Sequence, residues 1–127
     1  MNTSKKPLMI LVAGPYRSGT NDIPELIEAN VKAMTDTALE IYRMGHMPVL
    51  GEWFALPLIE AAGSKEVGDA IFNEIFHPIA VQLIDHCDAV LRIGGASSGA
   101  DEMVKTGEAK GKIIFHNKHA IPFVGKQ

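Results

Sequence analysis

The stretch LMILVAGPYRSGT (residues 8–20) decides the fold of this 127-residue chain. Its first six residues are all apolar, and Gly14 and Pro15 end the run. A continuous apolar run of this length that stops at turn residues is typical of a strand covered on both faces. The stretch therefore predicts a central strand at residues 8–13, followed by a loop rich in small residues.

Three shorter apolar runs after this stretch predict further strands, and helical patterns separate them. Such an alternation indicates a parallel sheet between helices. We expect an α/β fold: a three-layer Rossmann-like or flavodoxin-like domain with a small parallel sheet of four to five strands, forming one domain over residues 1–127. The later strands are expected at residues 47–50, 89–93 and 112–116.

The clearest helical pattern follows the first loop. Apolar residues recur every three or four positions and predict a helix that Asp22 caps near Pro24 and that lasts until Gly45. A second helix is expected at about residues 100–110, where it ends before Gly111.

Two other segments carry weaker signals. Residues 66–86 have a helical pattern that Pro78 interrupts, so a kink or two separate helices are expected, with the break near His77. The residues after Pro122 are expected to form a loose tail or an arm onto a partner.

Composition limits the class of protein. Apolar residues make up 46% and charged residues 21%, and the net charge is −3, so neither disorder nor a nucleic-acid partner is expected. Cys87 is the only cysteine, which suits a reducing interior and predicts a cytoplasmic protein. The apolar run at residues 8–13 is too short for a membrane segment, so no membrane partner is expected.

Small residues are concentrated in two strand-to-helix loops, AGPYRSGT at residues 13–20 and GGASSG at residues 94–99. Backbone N–H groups in such loops can approach an anion closely, and a following helix start favours phosphate or carboxylate by roughly 0.3 to 1 kcal/mol. Arg17 can add a bidentate contact. Either loop alone is equally consistent with a tight turn, but in a flavodoxin-like strand order the two face each other across one crevice.

Glu102 is the candidate catalytic carboxylate. It lies one turn into the helix that follows the second loop, and we expect it over the crevice beside Ser97 and Ser98, where a buried carboxylate can act as a nucleophile. Asp101 and Glu102 are also typical first-turn acids, which favour the positive end of a helix without any catalytic role.

Three short motifs, AGPYR (13–17), SGADE (98–102) and KII (112–114), resemble the nucleoside 2-deoxyribosyltransferase family and its 2'-deoxynucleoside 5'-phosphate N-hydrolase branch. The resemblance covers nearly the whole chain in order and spacing. It implies a Rossmann-like fold, a homodimer or larger homo-oligomer, and a small-molecule substrate. The implied reaction is cleavage or transfer at the N-glycosidic bond of a (deoxy)nucleoside or its 5'-monophosphate, without metal or organic cofactor.

The resemblance also implies roles for individual residues. Glu102 matches the family's glutamate nucleophile, which attacks the anomeric carbon and holds the sugar until water or a second base accepts it. The resemblance implies Gly14, Tyr16 and Arg17 at the sugar and 5' end, with hydroxyl and N–H donors nearby from Ser98 and Gly99. Ser97 is a further substrate-binding candidate.

Glu52 and Trp53 follow the second strand, where the family places groups near the base. An indole face can stack on a base for roughly 1 to 3 kcal/mol, although Trp53 is equally consistent with a core or dimer residue. One departure is that Ala80 stands where many members have an aspartate that orients the nucleophile or protonates the base. Its possible substitutes are Glu74, His77, Asp85 and Asp88, of which Asp88 is also a substrate-binding candidate.

Other functions compete with this one. Gly94-Gly95, Ser98-Gly99 and Glu102 are similar to the motif of lysine-decarboxylase-like nucleotide phosphoribohydrolases, but the leading Pro-Gly-Gly is absent. A non-catalytic nucleotide-binding module or sensor is the third interpretation, which Ala80 supports. The five histidines show no spacing that would bring three to one face, so no metal site is expected.

Overall fold

The computed structural model describes residues 3, 4 and 6–124. Four parallel strands form the main sheet, in the spatial order β3-β2-β4-β5, and two short strands, β1 and β6, pair separately. This confirms the predicted Rossmann-like α/β fold, and the strand order is the flavodoxin-like one. The strands are β1 (Thr3–Ser4), β2 (Met9–Ala13), β3 (Met47–Val49), β4 (Ala89–Arg92), β5 (Ile113–Phe115) and β6 (Phe123–Val124).

Helices cover both faces of the sheet, and the central strand shows how. Ile10 and Val12 of β2 pack in a core with the first helix, whereas Leu11 and Ala13 pack on the opposite face with the third and fourth helices. Successive residues of a strand point to opposite faces, so a strand buried on both must be apolar throughout. The helices are α1 (Pro24–Arg43), α2 (Gly51–Ala61), α3 (Ala70–His86) and α4 (Ser98–Ala109), and a 3-10 turn follows at Lys118–Ala120.

Helix α2 is an addition to the predicted elements. Gly51 to Trp53 form its first turn rather than a loop. Its sequence, GEWFALPLIEA, is apolar on nearly every side and contains Pro57, so it shows no amphipathic repeat. A helix of this kind forms because of what it packs against, and Ala55 and Ile59 are buried in a cluster with Phe72 of α3.

Of the two alternatives predicted for this segment, two separate helices are wrong, because α3 continues through Pro78 to His86. Proline removes one helical hydrogen bond, but packing of α3 along α2 and α4 offsets that loss. The helix starts at Ala70 behind Asp69, whose carboxylate accepts a hydrogen bond of 2.8 Å from the Phe72 N–H.

Asp22 does not cap α1, contrary to the sequence prediction. The N-cap position is held by Ile23, whose side chain makes no capping hydrogen bond. Asp22 itself has a φ of 58°, in the left-handed region that aspartate tolerates better than most residues. Its carboxylate turns back to Arg17 instead.

The segment after the 3-10 turn is more ordered than a loose tail as far as it is described. Phe123–Val124 form β6, which pairs with β1, and Ile121 is buried in the core. Residues 125–127 lie outside the described residues. Among the helices described here, none has the length and apolar character needed to cross a membrane.

Candidate functional site

A cavity of about 530 Å³ opens at the carboxyl ends of β2 and β4. These neighbouring strands are where the sheet order reverses, the position at which open α/β sheets bind ligands. Its walls come from the loop after β2, the first turns of α2 and α4, and the middle of α3. The volume suits a ligand of nucleotide size.

The cavity brings together most of the site residues considered from the sequence. Both small-residue loops contribute, which is the arrangement expected for a flavodoxin-like strand order. The predicted residues that line the cavity are Gly14, Tyr16, Arg17, Glu52, Ser97, Ser98 and Gly99.

Glu102 does not lie over the crevice as expected. Its side chain is exposed on α4, and the residues of that helix turn that line the cavity are Ser98, Gly99, Ala100 and Met103. Successive helical residues are rotated by about 100°, so Glu102 and its neighbour Met103 point in different directions, and it is Met103 that faces the cavity. Met103, only 7% exposed, occupies the inward position.

Trp53 and Asp88 also lie outside the cavity lining. Trp53 is 42% exposed on the outer side of α2. Asp88 precedes β4, so it sits at the opposite, amino-terminal edge of the sheet, where its Oδ2 accepts a hydrogen bond of 2.8 Å from the Met9 N–H. That bond joins the starts of two neighbouring strands, which is a structural role.

Glu52 is the most unusual group in the cavity. Its side chain is 8% exposed, and its Oε2 atom is buried with no hydrogen-bond partner among the described residues. Burial raises the pKa of this carboxyl from its ordinary 4.5 to about 7, because the charged form loses water. A hydrogen bond from the Glu52 backbone opposes this shift in part. A buried carboxyl oxygen without a partner is costly, so such groups are concentrated at functional sites.

Tyr16 lies near Glu52 and shares its environment. Burial raises the pKa of the Tyr16 phenol above its ordinary 10, and the negative charge of Glu52 raises it further. The hydroxyl therefore keeps its proton at neutral pH and can donate a hydrogen bond inside the cavity. The Tyr16 ring packs against Phe76, with 4.7 Å between centroids, which holds it in place.

The start of α4 presents backbone donors to the cavity. Ser97 is the N-cap, and its hydroxyl accepts a hydrogen bond of 3.2 Å from the Ala100 N–H. The N–H groups of the first turn have no partner within the helix, so those of Ser98 and Gly99 can bind an anion. A Cβ atom on Gly99 would meet nothing within 4 Å, so the cavity reaches this backbone directly.

Arg92 holds the loop that leads to this helix start. Its Nη2 donates to the Gly95 carbonyl at 2.8 Å, Nη1 donates to the Ile93 carbonyl, and Nε pairs with Asp101 at 3.0 Å. Asp101 lies in the first turn of α4, so one guanidinium joins the strand end, the loop and the helix. The loop geometry is thereby set without any ligand.

Arg17 stands at the rim of the cavity and is already paired. Its Nε and Nη2 atoms each lie 2.8 Å from a carboxylate oxygen of Asp22, and its guanidinium lies 5.8 Å from the centre of the Phe72 ring. The paired guanidinium lowers the pKa of Asp22. An anion in the cavity would share Arg17 with this carboxylate.

His77 and Ala80 of α3 line the wall of the cavity beside α2. Ala80 sits so close to the start of α2 that a Cβ atom on Gly51 would lie 3.1 Å from the Ala80 Cβ. His77 was only one of several candidates in the sequence, because nothing there shows which face of α3 meets the cavity. Within the described ranges, no three His, Cys, Asp or Glu side chains converge as metal ligands would.

In a comparison with known proteins, no family model and no curated protein matches the chain.

Proposed function

We propose that the chain binds a (deoxy)nucleoside or its 5'-monophosphate in this cavity and cleaves or transfers at the N-glycosidic bond, with Glu52 as the reacting carboxyl. The observation that carries the proposal is the buried Glu52 Oε2, which has no partner in the described part of the chain and belongs to the cavity lining. A ligand hydroxyl or a reacting carbon supplies the partner that the protein leaves out.

Glu52 takes the role that the family resemblance implied for Glu102. A carboxyl with a pKa of about 7 is ionised in part near neutral pH, so it can attack the anomeric carbon or exchange a proton there. Glu102 is exposed on α4 and lies outside the cavity lining, so it lacks the position that the reaction requires.

The other end of the cavity suits the 5'-phosphate. The α4 start offers the N–H groups of Ser98 and Gly99 with the positive end of the helix dipole, and Arg17 stands across the crevice at the rim. A phosphate held there and a sugar near Glu52 would place the glycosidic bond inside the cavity, which positions it for reaction.

The proposed reaction needs no organic cofactor and no metal. Glu52 supplies the carboxylate that bonds to the sugar, and either water or a second base accepts the sugar afterwards. The proposal includes a cytoplasmic location, since Cys87 is a free thiol.

We include a homodimer or larger homo-oligomer in the proposal. Trp53, Phe54 and Leu58 of α2 are 42%, 43% and 49% exposed, whereas Ala55 and Ile59 of the same helix are buried. Large apolar side chains exposed together on one helix are typical of oligomer interfaces. A monomeric mass by light scattering would contradict this part of the proposal.

Base release tests the reaction. The four deoxynucleosides and their 5'-monophosphates are incubated with wild type, Glu52→Gln and the matched control Glu102→Gln, and free base is measured by chromatography. We expect release by wild type and Glu102→Gln and a loss of at least about a hundredfold in Glu52→Gln. Equal activity of wild type and Glu52→Gln, with loss in Glu102→Gln, would return the role to Glu102.

A non-catalytic nucleotide-binding module is the second candidate, and Ala80 is the observation that favours it. Ala80 lines the cavity, and the resemblance implies that many family members have an assisting aspartate at this position. A nucleotide that binds to wild type and to Glu52→Gln, with no base released by either, would establish the binding module over the enzyme.

A further inference from the structure

We infer that His77 donates the proton to the leaving base when the N-glycosidic bond breaks, an inference that rests on the proposed function. A nucleobase leaves with the electron pair of the broken bond, and protonation makes that departure easier. Because Ala80 offers no proton, another group near the cavity must do so. The candidates raised by the sequence differ sharply in where the structure puts them.

Each acidic candidate either is bound to another group of the protein or lies outside the cavity. Asp85 pairs with Lys110 at 2.5 Å, and Asp88 binds the Met9 N–H at the opposite edge of the sheet. Glu74 is exposed on α3 and lies outside the cavity lining. His77 is the one member of this group that lines the cavity.

The position of His77 relates it to both Ala80 and Glu52. Residues three apart on a helix share a face, so His77 lies one turn from Ala80 on the side of α3 that meets the cavity. Ala80 in turn contacts the start of α2, where Glu52 follows Gly51. The packing of α2 against α3 therefore brings the His77 imidazole and the Glu52 carboxyl to the same cavity.

The proton and electron movements balance for hydrolysis. The C1'–N bond breaks and its electron pair goes to the base, while the His77 imidazolium gives its proton to a ring nitrogen of that base. A Glu52 carboxylate oxygen bonds to C1'. Water then attacks C1', the bond to Glu52 breaks with its electrons returning to the carboxylate, and the water proton restores the imidazolium.

Tyr16 is the other proton-bearing group near Glu52. Burial and the charge of Glu52 raise the pKa of its phenol, which makes Tyr16 a weaker acid than an imidazolium. Its hydroxyl is suited to holding a hydrogen bond rather than losing a proton. Tyr16→Phe is therefore the matched control, since it changes a cavity group without removing the acid.

Leaving-group dependence separates proton donation from a structural role. The two test substrates are 2'-deoxyguanosine 5'-monophosphate and its 7-methyl derivative, whose base carries a positive charge and leaves neutral without a proton. We expect His77→Gln to lose about a hundredfold or more in kcat on the unmethylated substrate and less than about fivefold on the methylated one. Tyr16→Phe should affect both substrates alike, and Glu52→Gln should lose activity on both.

The possible outcomes test the role of His77 separately from the proposed function. Equal losses on the two substrates in His77→Gln, or no loss on either, overturn the role of His77 while turnover by wild type upholds the proposed function. No base release by wild type from any of the four deoxynucleosides, their 5'-monophosphates or the methylated nucleotide overturns both. His77→Asn, with the same measurement, replaces His77→Gln if that variant does not fold, as judged by circular dichroism.

Discussion

The carboxylate of Asp22 holds the guanidinium of Arg17 through two hydrogen bonds of 2.8 Å each, at the rim of the cavity. The two side chains are 39% and 46% exposed, so water and salt screen the pair. Because the paired atoms are donors that a phosphate would use, Asp22 competes with an anionic ligand for Arg17.

Removing the charge of Asp22 should strengthen binding of a 5'-monophosphate. Asn tolerates the left-handed backbone that Asp22 adopts, so Asp22→Asn changes charge with little change in shape. We expect an affinity for deoxynucleoside monophosphates up to about fivefold higher, with no change for the unphosphorylated nucleosides. Titration calorimetry at low and high salt measures both, and an equal gain for nucleosides would show that Arg17 does not contact the phosphate.

Glu52 should make the protein less stable as the pH rises from about 4.5 to about 7. The folded state has the higher pKa, so in this window it binds more protons than the unfolded state, and the free energy of unfolding falls with pH. The difference between the two pKa values corresponds to a loss on the order of 3 kcal/mol. Urea unfolding at pH 5 and pH 8 measures it, and Glu52→Gln, which cannot ionise, should lack this part of the pH dependence.

Asp69 should show the opposite pH dependence. Hydrogen bonds from the N–H groups of Phe72 and Lys65 lower the pKa of this N-cap carboxyl to about 2. Its contribution is present above the unfolded pKa of 3.8 and is lost as the pH falls toward 2. Asp69→Ala should lower Tm at pH 7, whereas the difference from wild type should shrink near pH 2.5. Because asparagine is also a good N-cap, the Tm of Asp69→Asn at pH 7 should lie close to that of wild type.

Gly99 offers a way to fill the cavity without disturbing the core. It lies in the first turn of α4, lines the cavity, and has open space where a Cβ atom would be. Gly99→Leu should weaken nucleotide binding at least about tenfold, since the new side chain occupies ligand space, and should not lower Tm, because leucine favours a helix over glycine.

Gly95 provides the control for that substitution. It also has open space at its Cβ position but lies outside the cavity lining. Gly95→Leu should therefore leave nucleotide affinity within about twofold of wild type. Similar losses in the two variants would mean that the ligand does not occupy the cavity at the start of α4.

Local pattern was enough to predict the sheet. The apolar run at residues 8–13 predicted a strand covered on both faces, and the structure buries Ile10 and Val12 on one side and Leu11 and Ala13 on the other. The small-residue loops after two neighbouring strands also predicted which edge carries the cavity. These features follow from strand geometry and backbone sterics, which act within a few residues.

Other features depended on packing between distant segments. Helix α2 has no amphipathic repeat, and α3 continues through Pro78, because each helix stabilises the other by burying apolar side chains between them. Asp22 pairs with Arg17 and does not cap α1, because the shape of the loop determines which group its carboxylate can reach. Propensities weigh less than tertiary contacts in all three cases.

By itself, the sequence determined the four strands of the main sheet, their parallel arrangement and the two loops that meet at its carboxyl edge. Only the tertiary structure decided that Glu52 and His77 line the cavity and that Glu102 does not. The physical reason is that periodicity reports which side chains are apolar, whereas the direction of a polar side chain depends on the rotation of its helix against the neighbours that surround it.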